Sequence, residues 1–192
     1  MKFLAYLISQ TLHPFVVEIF IFTFLNSSFK DEPKDYTILI ISIIPGILVL
    51  FSAFYLKAVG KLSDYNGSIR QERLLLIALG AIYHGIGFLA LQGLNAAPIV
   101  QGLMFCYALN TGFVWLITLK WKISIHSIGL GGPLAALWLS GVHYPISMLS
   151  LMVLLSSSRL ILKAHTLMQV TIGSIFSISF AYFQLKFLFL EQ

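Results

Sequence analysis

Charge is what this chain has least of. Only 10% of its 192 residues are Asp, Glu, Lys or Arg, where soluble domains carry about 25%. With 58% hydrophobic residues and a mean hydropathy of +0.91, a water-soluble fold of this size has too little interior to hide the apolar surface. Composition therefore implies an all-α, polytopic transmembrane helix bundle. Cysteine is missing except for Cys106, which excludes an intrachain disulfide and a cysteine metal site. Cys106 lies in an apolar run and reads as lipid-facing or core packing. The five histidines lack the H-x3-H spacing that places two ligands on one helix face, so no metal is assigned. No G-x4-G-K-[ST] loop occurs, which removes a nucleotide-triphosphate engine. No cofactor is called for. The net charge of +5, in so apolar a chain, points to membrane orientation and anionic headgroups rather than nucleic acid.

What is present is a series of apolar runs. A spanning helix needs about 20 mostly apolar residues. Seven candidates are found, at roughly 4–26, 36–57, 74–93, 98–119, 126–142, 145–161 and 166–188, in one integral-membrane domain covering 1–192. Six spans, with the first segment lying in the interface, is the alternative. That first segment contains Pro14 and Glu18 and is expected to kink. It is long enough to span and no A-x-A-like site follows it, which favours a retained segment over a cleaved signal peptide. The fifth candidate holds Gly129, Gly131, Gly132 and Pro133, small residues that let helices approach closely. The fifth and sixth form a tight hairpin turning at His143, Tyr144 and Pro145.

The polar connections are uneven. Pro33 makes 26–36 a loop of mixed charge, and Asn66-Gly67 is a turn signal in the longest basic loop, 57–73. With seven spans, Lys2, Lys57, Lys61, Arg70, Arg73, Lys120, Lys122, Arg159 and Lys163 fall on one side, and Lys30, Lys34 and Lys186 on the other. The bias favours a cytoplasmic basic face. Setting Arg73, Lys122, Arg159 and Lys163 aside as ligand-binding groups weakens it. An inner-membrane protein of a bacterium is the expectation. Parity matters more than sidedness, because three basic loops converge on one end of the bundle. That end gathers Arg73, Lys122, His126, Arg159 and His165.

Two stretches carry the chemistry. In KISIH (122–126), Lys122, Ser124 and His126 alternate, so an extended backbone points all three one way. In SRLILKAHTLMQ (158–169), Ser158 and Arg159 end one helix and His165 begins the next. Arginine supplies a planar donor fork suited to phosphate oxygens. A helix N-terminus beside His126 or His165 adds N–H groups and a favourable dipole. Two imidazoles can divide one reaction, one attacking and the other protonating the leaving oxygen. These parts suit phosphoryl transfer from a phosphate ester without a metal.

Ser158-Arg159, five residues, then His165 resembles the S-R-x5-H core of the type 2 phosphatidic acid phosphatase superfamily, whose third motif reads S-R-x5-H-x3-D. Ser124-Ile125-His126 is similar to the S-x-H of that family's second motif, P-S-G-H, with Ile123 in place of Pro and Ile125 in place of Gly. The first motif, K-x6-R-P, is not present as written; its nearest counterpart is SIRQER with Arg70 and Arg73, and Lys122 is a substitute for the missing lysine. The resemblance covers about 120–185. It implies a core like that of these membrane phosphatases. It also implies His165 as the nucleophile forming a phosphohistidine, His126 as general acid, and Arg159 with Ser124 on the phosphate oxygens. Ser158, Arg73 and Lys122 complete the phosphate-binding set. Position 169 is Gln where the family has Asp. Gln169 can accept the nucleophile's Nδ1–H bond but carries no charge.

The expected activity is therefore a metal-independent phosphatase acting on an amphiphilic lipid or isoprenyl phosphate. The alternative is a catalytically inactive relative that binds anionic lipid or a protein partner. Glu18, the one acid deep in a span, reads either as a functional group or as a partner of a Lys or His between helices. Asp64 and Glu72 are placed to orient the arginines. His84 reads as an interhelical hydrogen-bonding group, and His13-Pro14 and His143 as structural.

Overall fold

The structure is a computed structural model, and it describes residues 1–28, 36–64 and 69–191. Lys30, Pro33, Lys34 and the Asn66-Gly67 turn lie outside them. Among the described residues there are eight α-helices and no strand. They are α1 (Lys2–Thr11), α2 (Pro14–Ser28), α3 (Tyr36–Ala58), α4 (Arg73–Gly93), α5 (Pro98–Thr118), α6 (Ile125–Leu139), α7 (Pro145–Ile161) and α8 (Leu167–Leu185), the last continued by a π-helical turn over Lys186–Leu190. Prolines open α2, α5 and α7, where the missing N–H costs no intrahelical bond. The kink expected in the first segment is a 41° bend between α1 and α2.

Four helices, α3, α4, α5 and α8 with its π turn, are long and apolar enough to cross a membrane, or five if the bent α1–α2 pair forms one span. Helices α6 and α7 have 15 and 17 residues. At 1.5 Å per residue they reach roughly 22 and 25 Å, short of a hydrocarbon core of about 30 Å. The reason differs between them. α6 touches α2, α5, α7 and α8, and every residue from His126 to Ala136 is buried, so it is a central helix lined by protein. α7 instead leaves Ile146, Leu149, Val153 and Leu154 exposed. Together with Phe51, Ile82, Leu89 and Phe183 on other helices, these form an outward apolar belt suited to lipid.

Small residues bring α6 against its neighbours. A Cβ on Gly131 would lie 1.9 Å from Ser177 Oγ and 3.0 Å from the Ile178 backbone nitrogen, and one on Gly129 would lie 2.7 Å from Pro14 Cβ. The main core packs Ile21, Phe22, Leu25, Leu103, Met104 and Leu185 around this axis, and Cys106 is buried among them. After α6 the chain turns through Gly141, at φ +88°, and His143 Nε2 lies 3.0 Å from the Trp138 carbonyl oxygen.

Deep in α2, Glu18 meets His84 of α4, with Oε1 3.3 Å from Nε2. His84 Nδ1 lies 2.7 Å from the Gly80 carbonyl, and its ring stacks on Tyr107 at 5.2 Å. A Cβ on Gly46 of α3 would lie 2.3 Å from Glu18 Oε2. Glu18 is thus an interhelical partner of His84.

Gly131→Ala should cost about 1–3 kcal/mol, because backbone as well as Ser177 lies in the way. Gly85→Ala, where nothing lies within 4 Å of the added carbon, should be neutral or stabilising by about 1 kcal/mol or less. Thermal unfolding in detergent checks both; equal effects at the two positions would contradict the packing of α6 on α8.

Candidate functional site

The spacing between Arg159 and His165 is that of a helix end followed by a helix start. α7 stops at Ile161, and Lys163 adopts the left-handed conformation at φ +53°. The Lys163 N–H donates to the Leu160 carbonyl at 2.9 Å and the Ala164 N–H to the Arg159 carbonyl at 3.0 Å, a Schellman arrangement that reverses the chain. Thr166 then caps α8. Its Oγ1 accepts from the Gln169 N–H at 3.4 Å, and Gln169 Oε1 accepts from the Thr166 N–H at 3.2 Å. This capping box leaves His165 between the two helices. Gln169 Oε1 also lies 3.0 Å from His165 Nδ1. An amide oxygen only accepts, so Nδ1 carries the proton and Nε2 keeps its lone pair.

The second stretch is built differently from the expected alternation. Backbone extension holds as far as Ser124, at φ −79° and ψ 102°, but Ile125 opens α6. The direction of His126 is therefore set by the first turn of a helix. Ser124 is its N-cap, accepting from the Ser127 N–H at 3.3 Å and from the Ser127 hydroxyl at 3.0 Å. The Ser124 N–H in turn donates to the Gln169 carbonyl at 3.4 Å, so the two stretches touch directly. His126 is buried and its Nε2 has no hydrogen-bond partner among the described residues.

Three cations close around these histidines. Arg73, the first residue of α4, donates through Nη2 to the Ile123 carbonyl at 2.8 Å. Arg159 donates through Nη1 to Ser9 Oγ at 2.7 Å. Both guanidinium groups are buried, and the Nε of each has no partner among the described residues. Lys122 Nζ donates to the Ala164 carbonyl at 3.0 Å. His165 lies within the fields of Lys122, Arg159 and Arg73, and His126 within those of Arg159, His13, His165 and Arg73. A cavity of about 370 Å³ opens beside Lys122 and Arg159, lined also by Tyr6, Ser9, Gln10 and Lys163 among others. The structure thus brings together Arg73, Lys122, Ser124, His126, Arg159, His165 and Gln169.

Ser158 is fully buried, and its hydroxyl donates to the Leu155 carbonyl at 2.7 Å within its own helix. Arg70 donates to the Thr118 carbonyl at 2.8 Å and to that of Leu119, capping α5. Glu72 accepts from the N–H and hydroxyl of Ser63. Asp64 acts electrostatically on Lys122. Sequence reasoning reads His13 as structural and does not single out Ser9, yet both join the cluster. Ser9 joins through its bond from Arg159, and His13 through its ring, which meets that of His126 edge-on with centroids 5.2 Å apart. The only local signal for His13 was its position before a proline at a helix break.

The electrostatics favour an anion. Burial, the largest cause, pushes His165 down to about 3 from 6.5; the Gln169 bond opposes this, and the charges of Lys122, Arg159 and Arg73 add to it. Lys122 is lowered too, first by burial and then by Arg73 and Arg159. A neutral imidazole is the nucleophilic form. A bound phosphate offsets the surrounding positive charge and so favours the imidazolium.

Ring-nitrogen NMR should accordingly find His165 neutral at pH 5 in the ligand-free protein, with its titration moving upward when inorganic phosphate is added. Titration near 6.5, unmoved by phosphate, would contradict this electrostatic picture. No family model, curated protein or solved structure matches the chain.

Proposed function

We propose that the chain is a membrane-embedded, metal-independent phosphatase acting on an amphiphilic lipid or isoprenyl phosphate through a phosphohistidine on His165. One observation carries this reading: an imidazole with a free Nε2 and a fixed Nδ1 stands among Arg73, Lys122 and Arg159 at the end of an apolar bundle. The resemblance of 120–185 to the type 2 phosphatidic acid phosphatases adds to it. In this proposal the bundle has six or seven membrane segments, with α6 and α7 completing a core like that of those enzymes. It sits in a bacterial inner membrane, and its charge bias puts the basic end in the cytoplasm.

The reaction runs in two halves. The lone pair of His165 Nε2 attacks phosphorus, the P–O ester bond breaks, and the leaving alkoxide takes a proton from His126. Arg73, Arg159 and Lys122 balance the charge on the phosphoryl oxygens. Water then attacks the phosphohistidine, giving its proton to His126, and inorganic phosphate leaves. The alcohol's acyl or prenyl tail stays between the helices. The cations already supply the positive charge that phosphoryl transfer requires. Gln169 orients the nucleophile as a carboxylate does, but without charge to stabilise the imidazolium.

That uncharged Gln169 also favours a second reading, a catalytically inactive relative holding an anionic headgroup or a protein partner.

Purified protein should release phosphate from lipid or isoprenyl phosphates in EDTA. His165→Ala should abolish turnover, and Arg159→Ala should reduce it by about 100-fold or more. Gln169→Asp should raise the rate. If wild type binds phosphate lipids in EDTA but never turns over, the second reading replaces the first.

A further inference from the structure

His126 is the proposed general acid, and it is 7% exposed with an unpartnered Nε2. No hydrogen bond through that atom sets the rotation of its ring. A general acid nevertheless has to hold its nitrogen on the leaving oxygen to within a few tenths of an ångström. The group in place to do this is His13. The two rings stand at 88° with centroids 5.2 Å apart, an edge-to-face contact.

His13 is itself held from two sides. Its Nδ1 accepts the Phe15 N–H at 3.3 Å, which leaves the proton on Nε2. The following Pro14 restricts His13 to extended backbone. Pro14 also presses on α6: a Cβ on Gly129 would lie 2.7 Å from Pro14 Cβ and 3.2 Å from its Cα. Gly129 is three residues after His126, on the same face of α6. The contact that sets the distance of α2 from α6 therefore sets the distance between the two rings. The same arm supplies Ser9, whose Oγ takes the Arg159 Nη1 hydrogen bond at 2.7 Å. One short N-terminal segment thus touches both the acid and the phosphate clamp.

Resting on the phosphatase reading, we infer that His13 is a positioning residue for leaving-group protonation: it holds the His126 imidazole edge-on so that Nε2 faces the ester oxygen. It acts through His126 and takes no bond to phosphorus.

Leaving-group dependence tests this. An alkyl phosphate lipid needs its leaving oxygen protonated, and p-nitrophenyl phosphate scarcely does. His13→Ala should lower kcat on the lipid by about 10-fold or more and on the aryl ester by no more than about 3-fold. Added to His126→Ala, it should cost less than about twofold more, because both changes remove one function. His13→Phe, which keeps a perpendicular ring, should recover much of the lost lipid activity. Equal losses on the two substrates, or additive losses in the double variant, would overturn the inference. If wild type turns over neither substrate, the phosphatase reading fails, and His13 is judged by binding alone. Adding inorganic phosphate should then shift the His126 ring-nitrogen resonances in wild type and less in His13→Ala. An equal shift in both would overturn the inference in that case.

Discussion

The close approach of α6 and α8 is the constraint on which the candidate site depends. The two helices begin at the same end of the bundle, one capped by Ser124 and the other by Thr166. Gly131 sits against Ser177, and Gly173 lies under the Ser124 carbonyl, 3.3 Å from where its Cβ would be. Ser177 closes the contact by donating to the Ser127 carbonyl at 3.2 Å. Where neither helix has a side chain to spare, the backbones meet, and two N-terminal dipoles point into one volume. His126 and His165 inherit their separation from that contact.

Gathering cations there has a cost, and the structure meets it with neutral acceptors. Arg73 uses the Ile123 carbonyl, Arg159 the Ser9 hydroxyl and Lys122 the Ala164 carbonyl. These hydrogen bonds to neutral groups do not cancel the charge, and the Nε of each arginine has no partner among the described residues. Although Asp64 acts on Lys122, the net field favours an anion. The buried carboxylate of Glu18 is spent elsewhere, on His84 between α2 and α4. The Glu18–His84 pair thus lies inside the bundle, and the cations around His165 lie at its end.

Much of this was legible along the chain, and the exceptions have physical causes. The helical, membrane-embedded class follows from hydropathy, which is local. The convergence of the basic loops was expected from parity over seven spans, and Arg73, Lys122 and Arg159 do gather around His165. Gln169 as acceptor for His165 was implied by the resemblance to the phosphatase motif, and its Oε1 lies 3.0 Å from His165 Nδ1. The alternation in KISIH was misleading past Ser124, because a serine followed by a good N-terminal turn caps a helix and ends the extended run. α6, expected as a span from its apolar composition, has 15 residues and is enclosed by α2, α5, α7 and α8. Ser158 belonged to the matched pattern, but its hydroxyl is bound within its own helix.

By itself, the sequence determined an apolar helical chain with basic groups in its polar connections, because residue type and spacing along one chain decide hydropathy and capping. Only the tertiary structure decided that Ser9 and His13 stand beside Arg159 and His126, and that Glu18 faces His84. Those partners are separated by 150, 113 and 66 residues. Their meeting depends on which helix faces pack together, and no local pattern encodes that.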